Sequence, residues 1–409
     1  MKKQVLFIIN TMGRAGAETA LINLMNKLLS LKEYELSLYT IIPRGELFAR
    51  IPQQVHILNK SWSSKSVLSL SGRLAIVKQT IGAFFRSFTG LRLLPSILRN
   101  IRVQKKETGH IQPDKALWRL LASAAPAQEK EYDLAVAYIE GASAYYLADK
   151  VKAKKKCAFI HIDYQKAGYT PSMDQGCYEN VDRIFTVSNE VGEKFCAVYP
   201  QYREKTMLFR NLLDQQRIRT LAEEEGFTDN FDGIRLVTVG RLHYQKAYDI
   251  AIEACARLRQ MGHNIRWYVL GEGGERANLE KQIAQTGMQE HFILLGARDN
   301  PYPYVKQADF YVHATRFEGK SIAIEEAQIL GKTIIASDCT GNTEQIVDHQ
   351  DGLLLTLKTE NLVEKLDYAI KNPALCETLR RNVMNKQLDH PEDLNEMLSL
   401  IDKRGGAEE

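Results

Sequence analysis

The chain contains 409 residues, too many for one ordinary hydrophobic core and enough for two or three domains. Its 44% hydrophobic and 25% charged residues are typical of an ordinary globular protein, and no apolar run approaches the roughly 20 residues of a membrane-spanning helix. The 6 cysteines are scattered without CxxC or metal-finger spacing, which predicts reduced thiols in a cytoplasmic protein.

The first half of the chain predicts alternating strands and helices. Its opening residues, MKKQVLFIIN, lack a signal-peptide cleavage region and instead predict a first strand. The predicted elements are a strand over 5–9, a glycine-bearing loop over 11–18, a helix over 17–29, strands over 35–42 and 133–138, a helix over 142–149, strands over 157–162 and 184–187, and a helix capped by Ser188. This alternation is typical of a parallel sheet with helices on both faces.

A basic and apolar stretch interrupts the alternation. Between Leu47 and Lys106 the sequence has 11 Lys and Arg residues and no Asp or Glu. Each basic residue near an anionic leaflet contributes about 1 kcal/mol, so residues 60–106 predict contact with an anionic membrane surface. The alternative is a pair of basic helices whose charges lie in water. Nucleic acid is not predicted as a partner, because no recognised binding motif accompanies the charge.

The second half of the chain predicts a second domain of the same kind. The segment over 200–232 is polar and irregular, which predicts a link between domains. The predicted elements after it are strands over 234–239, 265–270, 292–295, 309–313 and 333–337, helices over 247–261 and 275–285, a helix after residue 321, and a helical segment over 359–403 with breaks at Pro373 and Pro391. Two such domains in tandem predict a ligand in a cleft between them.

Two carboxylates flank a helix start in the stretch RFEGKSIAIEEAQILGKTIIASD, residues 316–338. Glu318 precedes the predicted helix and Glu326 lies two turns inside it, so the pair can bracket an extended polar ligand. The backbone N–H groups of Gly319, Lys320 and Ser321 lie between them, and a helix N-terminus favours an anion there. The alternative is a charged first turn on a solvated helix.

Further clusters follow the first strand of each predicted domain. Arg241 and Lys246 come after the strand over 234–239, where two cations can neutralise a diphosphate and the arginine can bind it bidentately. They can equally pair with the acids around Glu318. Gly13 and Gly16 would let the backbone approach a ligand, but GRAG is not GxGxxG, and a plain strand-to-helix turn fits equally well.

Several of these motifs resemble those of the retaining, nucleotide-sugar-dependent glycosyltransferases of family 4, which have the GT-B fold. The matching segments are VGRLHYQKAYD at 239–249, GEGGERANLE at 271–280, EGKSIAIEEA at 318–327 with its Glu-x7-Glu spacing, and GRAGAE at 13–18. The resemblance is almost continuous over about 234–355 and sparse over about 60–127. It departs from the pattern where Ala247 replaces a glycine, where Arg14 and Ala15 interrupt a double glycine, and where Lys320 replaces an aromatic residue.

The resemblance implies roles for these residues. Arg241 and Lys246, with the N–H groups of Gly319 to Ile322, would stabilise the departing nucleoside diphosphate. Glu326 would accept hydrogen bonds from the ribose, Glu318 would hold the hydroxyls of the donor sugar, and Glu325 would face neither. His161, at a strand end of the first domain, would contact the transferred sugar, although a lone histidine there can also be structural.

The resemblance therefore predicts an α/β GT-B protein of two Rossmann-like domains. The predicted boundaries are an acceptor-side domain over 1–212 with an insertion over about 60–127, a donor domain over 213–389, and a C-terminal helix over 390–409 returning to the first domain. The predicted reaction transfers a hexose or N-acetylhexosamine, with retention, from a nucleotide-diphosphate sugar, UDP-sugar being favoured, to a glycan or lipid-linked acceptor in surface-polysaccharide synthesis. No cofactor or metal is predicted, since no Asp-x-Asp pair is present.

Two other functions fit the same motifs. One is another GT-B enzyme, such as a nucleotide-sugar epimerase or a sugar phosphorylase. The other is a non-catalytic subunit or sensor that binds a sugar nucleotide without turnover. In each case the expected location is the cytoplasm, with peripheral contact at the inner face of the cell membrane.

Overall fold

A computed structural model of the chain describes residues 2–65, 72, 78, 80–82, 89–108, 113–165 and 167–402. The chain forms two compact units, one of Met1–Leu212 with His390–Glu409 and one of Leu213–Asp389. Each unit contains a parallel sheet flanked by helices. No helix in the described ranges combines the length and apolar composition that crossing a bilayer requires.

The first unit is built around a sheet of seven strands in the described residues, with the order β3-β2-β1-β4-β5-β6-β7. Its elements are β1 (Lys3–Ile9), α1 (Gly16–Ser30), β2 (Tyr34–Thr40), a 3₁₀ turn (Glu46–Arg50), β3 (His56–Ile57), α2 (Thr89–Thr108), α3 (Pro113–Ala124), β4 (Glu131–Ala137), α4 (Ala142–Lys150), β5 (Lys152–Ile160), α5 (Pro171–Asp174), β6 (Arg183–Thr186), α6 (Asn189–Val198), a 3₁₀ turn (Pro200–Lys205) and β7 (Thr206–Leu208). The predicted cap of α6 is present, because the Ser188 hydroxyl accepts a hydrogen bond from the Val191 N–H.

The central strands of this sheet are continuous apolar runs because helices cover both of their faces. Leu6, Phe7 and Ile8 of β1 have no exposed surface, and neither does Val136 of the neighbouring β4. Burial on both faces removes the period-2 alternation of an antiparallel strand. The strand order reverses between β1 and β4, which leaves a crevice at their carboxyl ends where α/β proteins usually bind ligands.

The second unit repeats this plan with six strands in the described residues, in the order β10-β9-β8-β11-β12-β13. Its elements are α7 (Gln215–Leu221), β8 (Ile234–Val239), a 3₁₀ turn (Tyr244–Lys246), α8 (Tyr248–Gln260), β9 (Ile265–Leu270), α9 (Arg276–Gln285), β10 (Phe292–Gly296), α10 (Tyr302–Gln307), β11 (Phe310–His313), α11 (Ile322–Ile329), β12 (Thr333–Ser337), α12 (Thr340–Thr343), β13 (Leu353–Leu355), α13 (Thr359–Lys371) and α14 (Pro373–Met384). The order reverses between β8 and β11, so the chains leaving these two strands border the crevice of this unit.

The last helix, α15 (Pro391–Asp402), belongs to the first unit. The Arg210 guanidinium donates to both carboxylate oxygens of Asp393 at 2.8 Å, and the Arg210 N–H donates to the same carboxylate at 2.8 Å. Arg210 also pairs with Glu392 at 2.9 Å. This ion pair attaches the start of α15 to the segment that follows β7.

The predicted pair of doubly wound parallel sheets is confirmed, with most strand bounds within three residues. The largest difference lies over 200–232, where the polar sequence predicts an irregular link. The structure places β7 and α7 there, because a three-residue strand and a seven-residue helix are too short to show a clear apolar period. The strand β5 also begins five residues before its predicted start, since its alternating lysines hide a half-exposed strand.

Candidate active site

Polar side chains converge at the reversal point of the second sheet. The chain leaving β8 carries Arg241 and ends in the 3₁₀ turn that contains Lys246, whereas the chain leaving β11 carries Glu318 and leads into α11. The two strands pair directly, with Leu236 opposite Phe310. Parallel strands bring their carboxyl ends to one edge, so the two loops meet there.

Lys246 and Glu318 form an ion pair at this edge. The Lys246 ammonium contacts the Glu318 carboxylate directly, and the two side chains are only 14% and 16% exposed. His313, the last residue of β11, is 1% exposed, and its Nε2 lies 3.3 Å from Glu318 Oε2 and 3.4 Å from Lys246 Nζ. The sequence did not single out His313, although its place at the end of a predicted strand beside the Glu318 loop was a usable signal.

The charges in this cluster follow from its neighbours. Burial would raise the pKa of Glu318, but the Lys246 ammonium and a hydrogen bond from His313 outweigh burial and lower the pKa to about 2. Burial and the nearby Lys246 ammonium lower the pKa of His313, so its imidazole is neutral at pH 7. A neutral ring can accept from the Tyr311 hydroxyl at Nδ1, 3.4 Å away, and donate from Nε2 to Glu318.

Arg241 differs from Lys246 in its environment. Its side chain is exposed, and no residue in the described ranges forms an ion pair or a side-chain hydrogen bond with it. Of the two cations predicted at this edge, one is therefore neutralised by Glu318 and the other is open to an anion from solvent. The pairing of Lys246 with the acidic stretch was one of the two readings left open by the sequence.

The turn between Lys246 and α8 shows why the family pattern has glycine where this chain has Ala247. Ala247 has φ 49° and ψ 35°, which is the left-handed conformation that glycine adopts without strain. Its N–H donates to the Tyr244 carbonyl at 3.3 Å, which closes the 3₁₀ turn that positions Lys246. The family's glycine at this position is thus explained by backbone geometry.

The start of α11 is held by the segment that follows α12. The Ser321 N–H donates to Gln345 Oε1 at 2.8 Å, and Gln345 Nε2 donates back to the Ser321 carbonyl at 2.9 Å. The Ser321 N–H has no partner inside the helix, and the Gln345 side chain satisfies this buried donor instead. The N–H groups of Gly319, Lys320 and Ile322 have no hydrogen-bond partner within the described ranges.

Glu325 and Glu326 have different surroundings. Glu325 pairs with Lys320 at 2.7 Å, with both side chains about 10% exposed, so its charge is balanced at the helix start. Glu326 accepts a hydrogen bond from the Tyr302 hydroxyl at 2.8 Å. Burial and the neighbouring Glu325 charge raise the pKa of Glu326 to about 7, so without ligand it is half protonated near neutral pH.

In the first unit, His161 follows β5 and lies at the carboxyl edge of that sheet. Its backbone N–H donates to Glu140 Oε2 at 3.0 Å, and the centroid of its ring lies 5.2 Å from the centroid of the Tyr138 ring. Burial lowers the pKa of His161 to about 4, and its Nε2 has no partner in the described part of the chain. The imidazole is therefore neutral and has an unused polar atom.

The glycine loop after β1 has acidic surroundings. A Cβ at Gly13 would lie 3.9 Å from Glu18 Oε1 and 4.0 Å from Glu46 Oε2. Gly16 is the first residue of α1. Two carboxylates beside Gly13 disfavour a phosphate there and favour hydroxyl groups, which donate hydrogen bonds. In the described ranges, no group of three or more His, Cys, Asp or Glu side chains is arranged to hold a metal ion.

Known proteins resemble this chain in sequence and in fold. Residues 223–386, most of the second unit and about two fifths of the chain, match the family described as glycosyl transferases group 1. The matches support a group 1 glycosyltransferase. One curated relative is the N-acetylgalactosamine-N,N'-diacetylbacillosaminyl-diphospho-undecaprenol 4-alpha-N-acetylgalactosaminyltransferase of Campylobacter jejuni, 26% identical over 57% of this chain and 61% of its own length.

Other relatives match shorter stretches. The alpha-D-kanosaminyltransferase of Streptomyces kanamyceticus is 24% identical over 42% of this chain and 45% of its own length. The chain spans about half the length of the curated relatives that it matches. Among solved structures, Anabaena Alr3699/HepE in complex with UDP and glucose has a TM-score of 0.68 at 16% identity, covering 98% of this chain and 99% of its own.

These comparisons confirm the predicted GT-B fold of the chain. They also confirm the coarser part of the predicted resemblance, the similarity to group 1 glycosyltransferases. Family 4 membership, retention and the roles of individual site residues remain predictions. The sequence did not point to Gln345, Glu140 or Tyr302, because each acts through a contact with a residue distant in the chain.

Proposed function

We propose that the protein is a retaining family 4 glycosyltransferase. In this proposal it moves a hexose or N-acetylhexosamine from a nucleotide-diphosphate sugar, a UDP-sugar being favoured, to a glycan or lipid-linked acceptor in surface-polysaccharide synthesis. The observation that carries the proposal is the Lys246–Glu318–His313 cluster at the reversal point of the second sheet, beside the exposed Arg241 and the start of α11.

The cluster suits a sugar diphosphate because it presents separate groups for phosphate and for hydroxyls. Arg241 is open to bind a phosphate oxygen. The Lys246 ammonium has three N–H donors, so it can contact Glu318 and also donate to an oxygen of the diphosphate. The free N–H groups of Gly319, Lys320 and Ile322 at the start of α11 would add to the positive potential. The Ser321 N–H is taken by Gln345, so any donor contact of Ser321 would come from its hydroxyl.

The carboxylates would bind the two sugars of the donor. Glu318 is ionised at all physiological pH values and can accept from hydroxyls of the transferred sugar. Glu326 would accept from the ribose hydroxyls, which favours its ionised form and lowers its raised pKa when the donor binds. The neutral His161 and the loop of Gly13 and Gly16 would contact sugar hydroxyls from the first unit.

The reaction we propose is front-face displacement with retention. The acceptor oxygen forms a bond to the anomeric carbon on the side from which the bond to the diphosphate oxygen breaks. The acceptor proton passes to that diphosphate oxygen, so no enzymic base is needed. Arg241 and Lys246 stabilise the charge that develops on the leaving group, which is where binding energy yields rate.

No cofactor or metal forms part of this proposal, since the two cations would do the work of a divalent ion on the diphosphate. Transfer should therefore persist in EDTA. Loss of transfer in EDTA that is restored by Mg²⁺ would contradict this part.

The donor and acceptor classes are supported by related proteins. Solved structures of the same fold hold UDP, UDP-glucose, or UDP with GlcNAc. The name of the Campylobacter jejuni relative gives a diphospho-undecaprenol acceptor, and that of an Erwinia amylovora relative gives amylovoran biosynthesis. These features motivate UDP-sugars as the first donors to test and lipid-linked glycans as the first acceptors.

Donor hydrolysis without acceptor separates this enzyme from a binding subunit. We expect the wild-type chain to release UDP slowly from a UDP-sugar and Glu318→Gln to lower this rate about 10²-fold or more. The exposed Glu360 of the same unit provides a matched control, Glu360→Gln, which should retain the rate. Binding of a UDP- or GDP-sugar in a thermal-shift screen, with no hydrolysis or transfer, would instead favour the non-catalytic subunit.

We also propose that the protein works in the cytoplasm, at the inner face of the cell membrane, through the basic region over 60–106. In the described part of this region, α2 exposes Arg99, Arg102, Lys105 and Lys106. Leu94 and Leu98 of the same helix are 38% and 46% exposed. Flotation with anionic liposomes should capture the protein at low salt and release it at high salt. Indifference to both lipid charge and salt would reject membrane contact.

A further inference from the structure

A cavity lies in the first unit, between α2, α3 and α5. Its volume is about 290 Å³, near the lower end of small-molecule sites. Its walls combine apolar side chains with polar ones from three separate segments. The lining residues include Leu93, Ile97, Asn100, Arg119, Ser172 and Met173.

Asn100 contributes a buried polar side chain to the wall of this cavity. Its side chain has no exposed surface, and its Oδ1 accepts from the Thr170 hydroxyl at 2.5 Å and from the Ser172 hydroxyl at 2.9 Å. Its Nδ2 has no hydrogen-bond partner in the described ranges. A buried donor without a partner is costly, so a ligand that brings an acceptor to Asn100 would gain a hydrogen bond at little desolvation cost.

Arg119 indicates that this ligand is neutral. Its guanidinium donates to the Met173 carbonyl at 2.6 Å and to the Gln175 carbonyl at 2.8 Å, and it pairs with Asp149 at 3.4 Å. These contacts use both hydrogens of Nη1, and Asp149 balances the charge of the guanidinium. A phosphate or carboxylate in the cavity would therefore lack a free cation, which disfavours an anionic ligand.

The apolar walls restrict the ligand further. Leu93 and Ile97 lie one turn apart on α2 and line the cavity together with Met173. A ligand that fits needs an acceptor oxygen for Asn100 with an apolar group attached to it. An acetamido group has this combination, because its carbonyl oxygen accepts and its methyl group packs on aliphatic side chains.

We propose that this cavity binds the acetamido group of a neutral N-acetylated sugar in the glycan acceptor. The carbonyl oxygen accepts from Asn100 Nδ2, and the methyl group packs against Leu93, Ile97 and Met173. The volume suits one sugar residue and not a long oligosaccharide. The link to an acceptor rests on the proposed function, whereas the ligand chemistry rests on the cavity alone.

Binding of two matched disaccharides to the full chain tests this site. N,N'-diacetylchitobiose and cellobiose share their linkage and differ in two acetamido groups that replace hydroxyls. Saturation-transfer NMR should show the acetamido methyl groups in contact with the protein, and titration calorimetry should give at least tenfold weaker binding of cellobiose. Saturating UDP should leave this binding unchanged, because the cavity contains none of the proposed donor residues.

Two variants locate the binding. Asn100→Asp keeps the oxygen that accepts from Thr170 and Ser172 but removes the N–H donors, and it should weaken chitobiose binding at least tenfold. Ile97→Phe fills the cavity and should also weaken chitobiose binding at least tenfold. It tests the site independently if Asn100→Asp does not fold. Asn278→Asp, in the second unit, is the matched control and should bind normally. Thermal melts identify any variant that is unfolded.

Several outcomes would contradict the proposed acetamido site. These are no methyl contact, equal binding of cellobiose, displacement by UDP, or unchanged binding in the folded variants. Donor hydrolysis separates this failure from failure of the proposed function. If the wild-type protein hydrolyses a donor but does not bind chitobiose, only the proposed acetamido site is rejected. If it binds chitobiose but hydrolyses none of the donors tested, only the proposed enzymatic function is rejected.

Discussion

The Lys246–Glu318 ion pair should contribute strongly to the stability of the second unit. Burial would raise the pKa of Glu318, yet Lys246 and His313 lower it from 4.5 to about 2. At about 1.4 kcal/mol per pKa unit, the folded protein favours the ionised carboxylate by roughly 3 kcal/mol. Because the folded pKa lies below the unfolded one, this stabilisation is present above pH 4.5 and is lost as the pH falls through about 2.

Replacing one partner leaves the other buried without its counterion. Glu318→Gln leaves the Lys246 ammonium 14% exposed and unpaired, and Lys246→Met leaves the Glu318 carboxylate beside His313. We expect each single change to lower the free energy of unfolding at pH 7 by about 3 kcal/mol. The double variant should lose less than the sum, with a coupling free energy of roughly 2 kcal/mol or more.

Urea unfolding followed by Trp267 fluorescence measures this coupling. Trp267 is 1% exposed in the core of the second unit, so Trp62→Phe and Trp118→Phe make its emission specific to that unit. The control cycle uses Arg257 and Glu360, whose side chains are 46% and 65% exposed at a similar ion-pair distance of 2.7 Å. Exposed pairs contribute about 0 to 1 kcal/mol.

The two double-mutant cycles together show whether the buried ion pair is stronger than an exposed one. A coupling between Lys246 and Glu318 that is no larger than that of the exposed control pair would refute the reasoning from burial and pKa. It would mean that water screens the cluster as it does a surface pair. Measurement at pH 3 provides a second check, because Glu318 should still be ionised there in the folded protein.

Three further predictions concern other positions. The pKa of Glu326 is raised to about 7, so the folded state binds more protons than the unfolded state, and stability should fall as the pH rises from 4.5 through 7. Glu326→Gln should remove this loss of up to about 3 kcal/mol in urea titrations at pH 5 and pH 9, and parallel pH profiles would contradict it. Ala247→Gly should raise the free energy of unfolding by up to about 1 kcal/mol because it relieves a left-handed alanine, and lower stability would mean that its buried methyl group matters more. Asp393→Asn should speed amide exchange in the last helix about 10-fold or more, as its ion pair with Arg210 is lost, while exchange in the second unit serves as the control.

Much of the fold was accessible from the sequence because its signals are local. Buried strands such as 234–239 and 265–270 appear as short apolar runs, and the structure places both at their predicted bounds. The helix cap at Ser188 is likewise a contact between residues three positions apart. The boundary between the two units lies in the segment over 200–232. The strand and helix within this segment are too short for a local period to distinguish them from a loop.

The candidate site was only partly accessible. Its residue types and their positions after strands indicated phosphate and hydroxyl chemistry, and the resemblance to a known family named the same positions. The sequence could not assign partners. That Lys246 pairs with Glu318, that Gln345 takes the Ser321 N–H, and that Glu325 pairs with Lys320 are facts of side-chain geometry.

By itself, the sequence determined two parallel α/β sheets, the strand ends that carry ionisable side chains, and the glycosyltransferase-like motifs of the second half. Only the tertiary structure decided which charges are neutralised, because the electrostatic environment depends on burial and on distant partners, and Glu318 lies 72 positions from Lys246. It brought His313 beside Glu318, left Arg241 exposed, and buried Asn100 beside a cavity that no local sequence pattern predicts. The physical reason is that apolar periodicity is a property of neighbouring residues, whereas a site is made where distant loops meet.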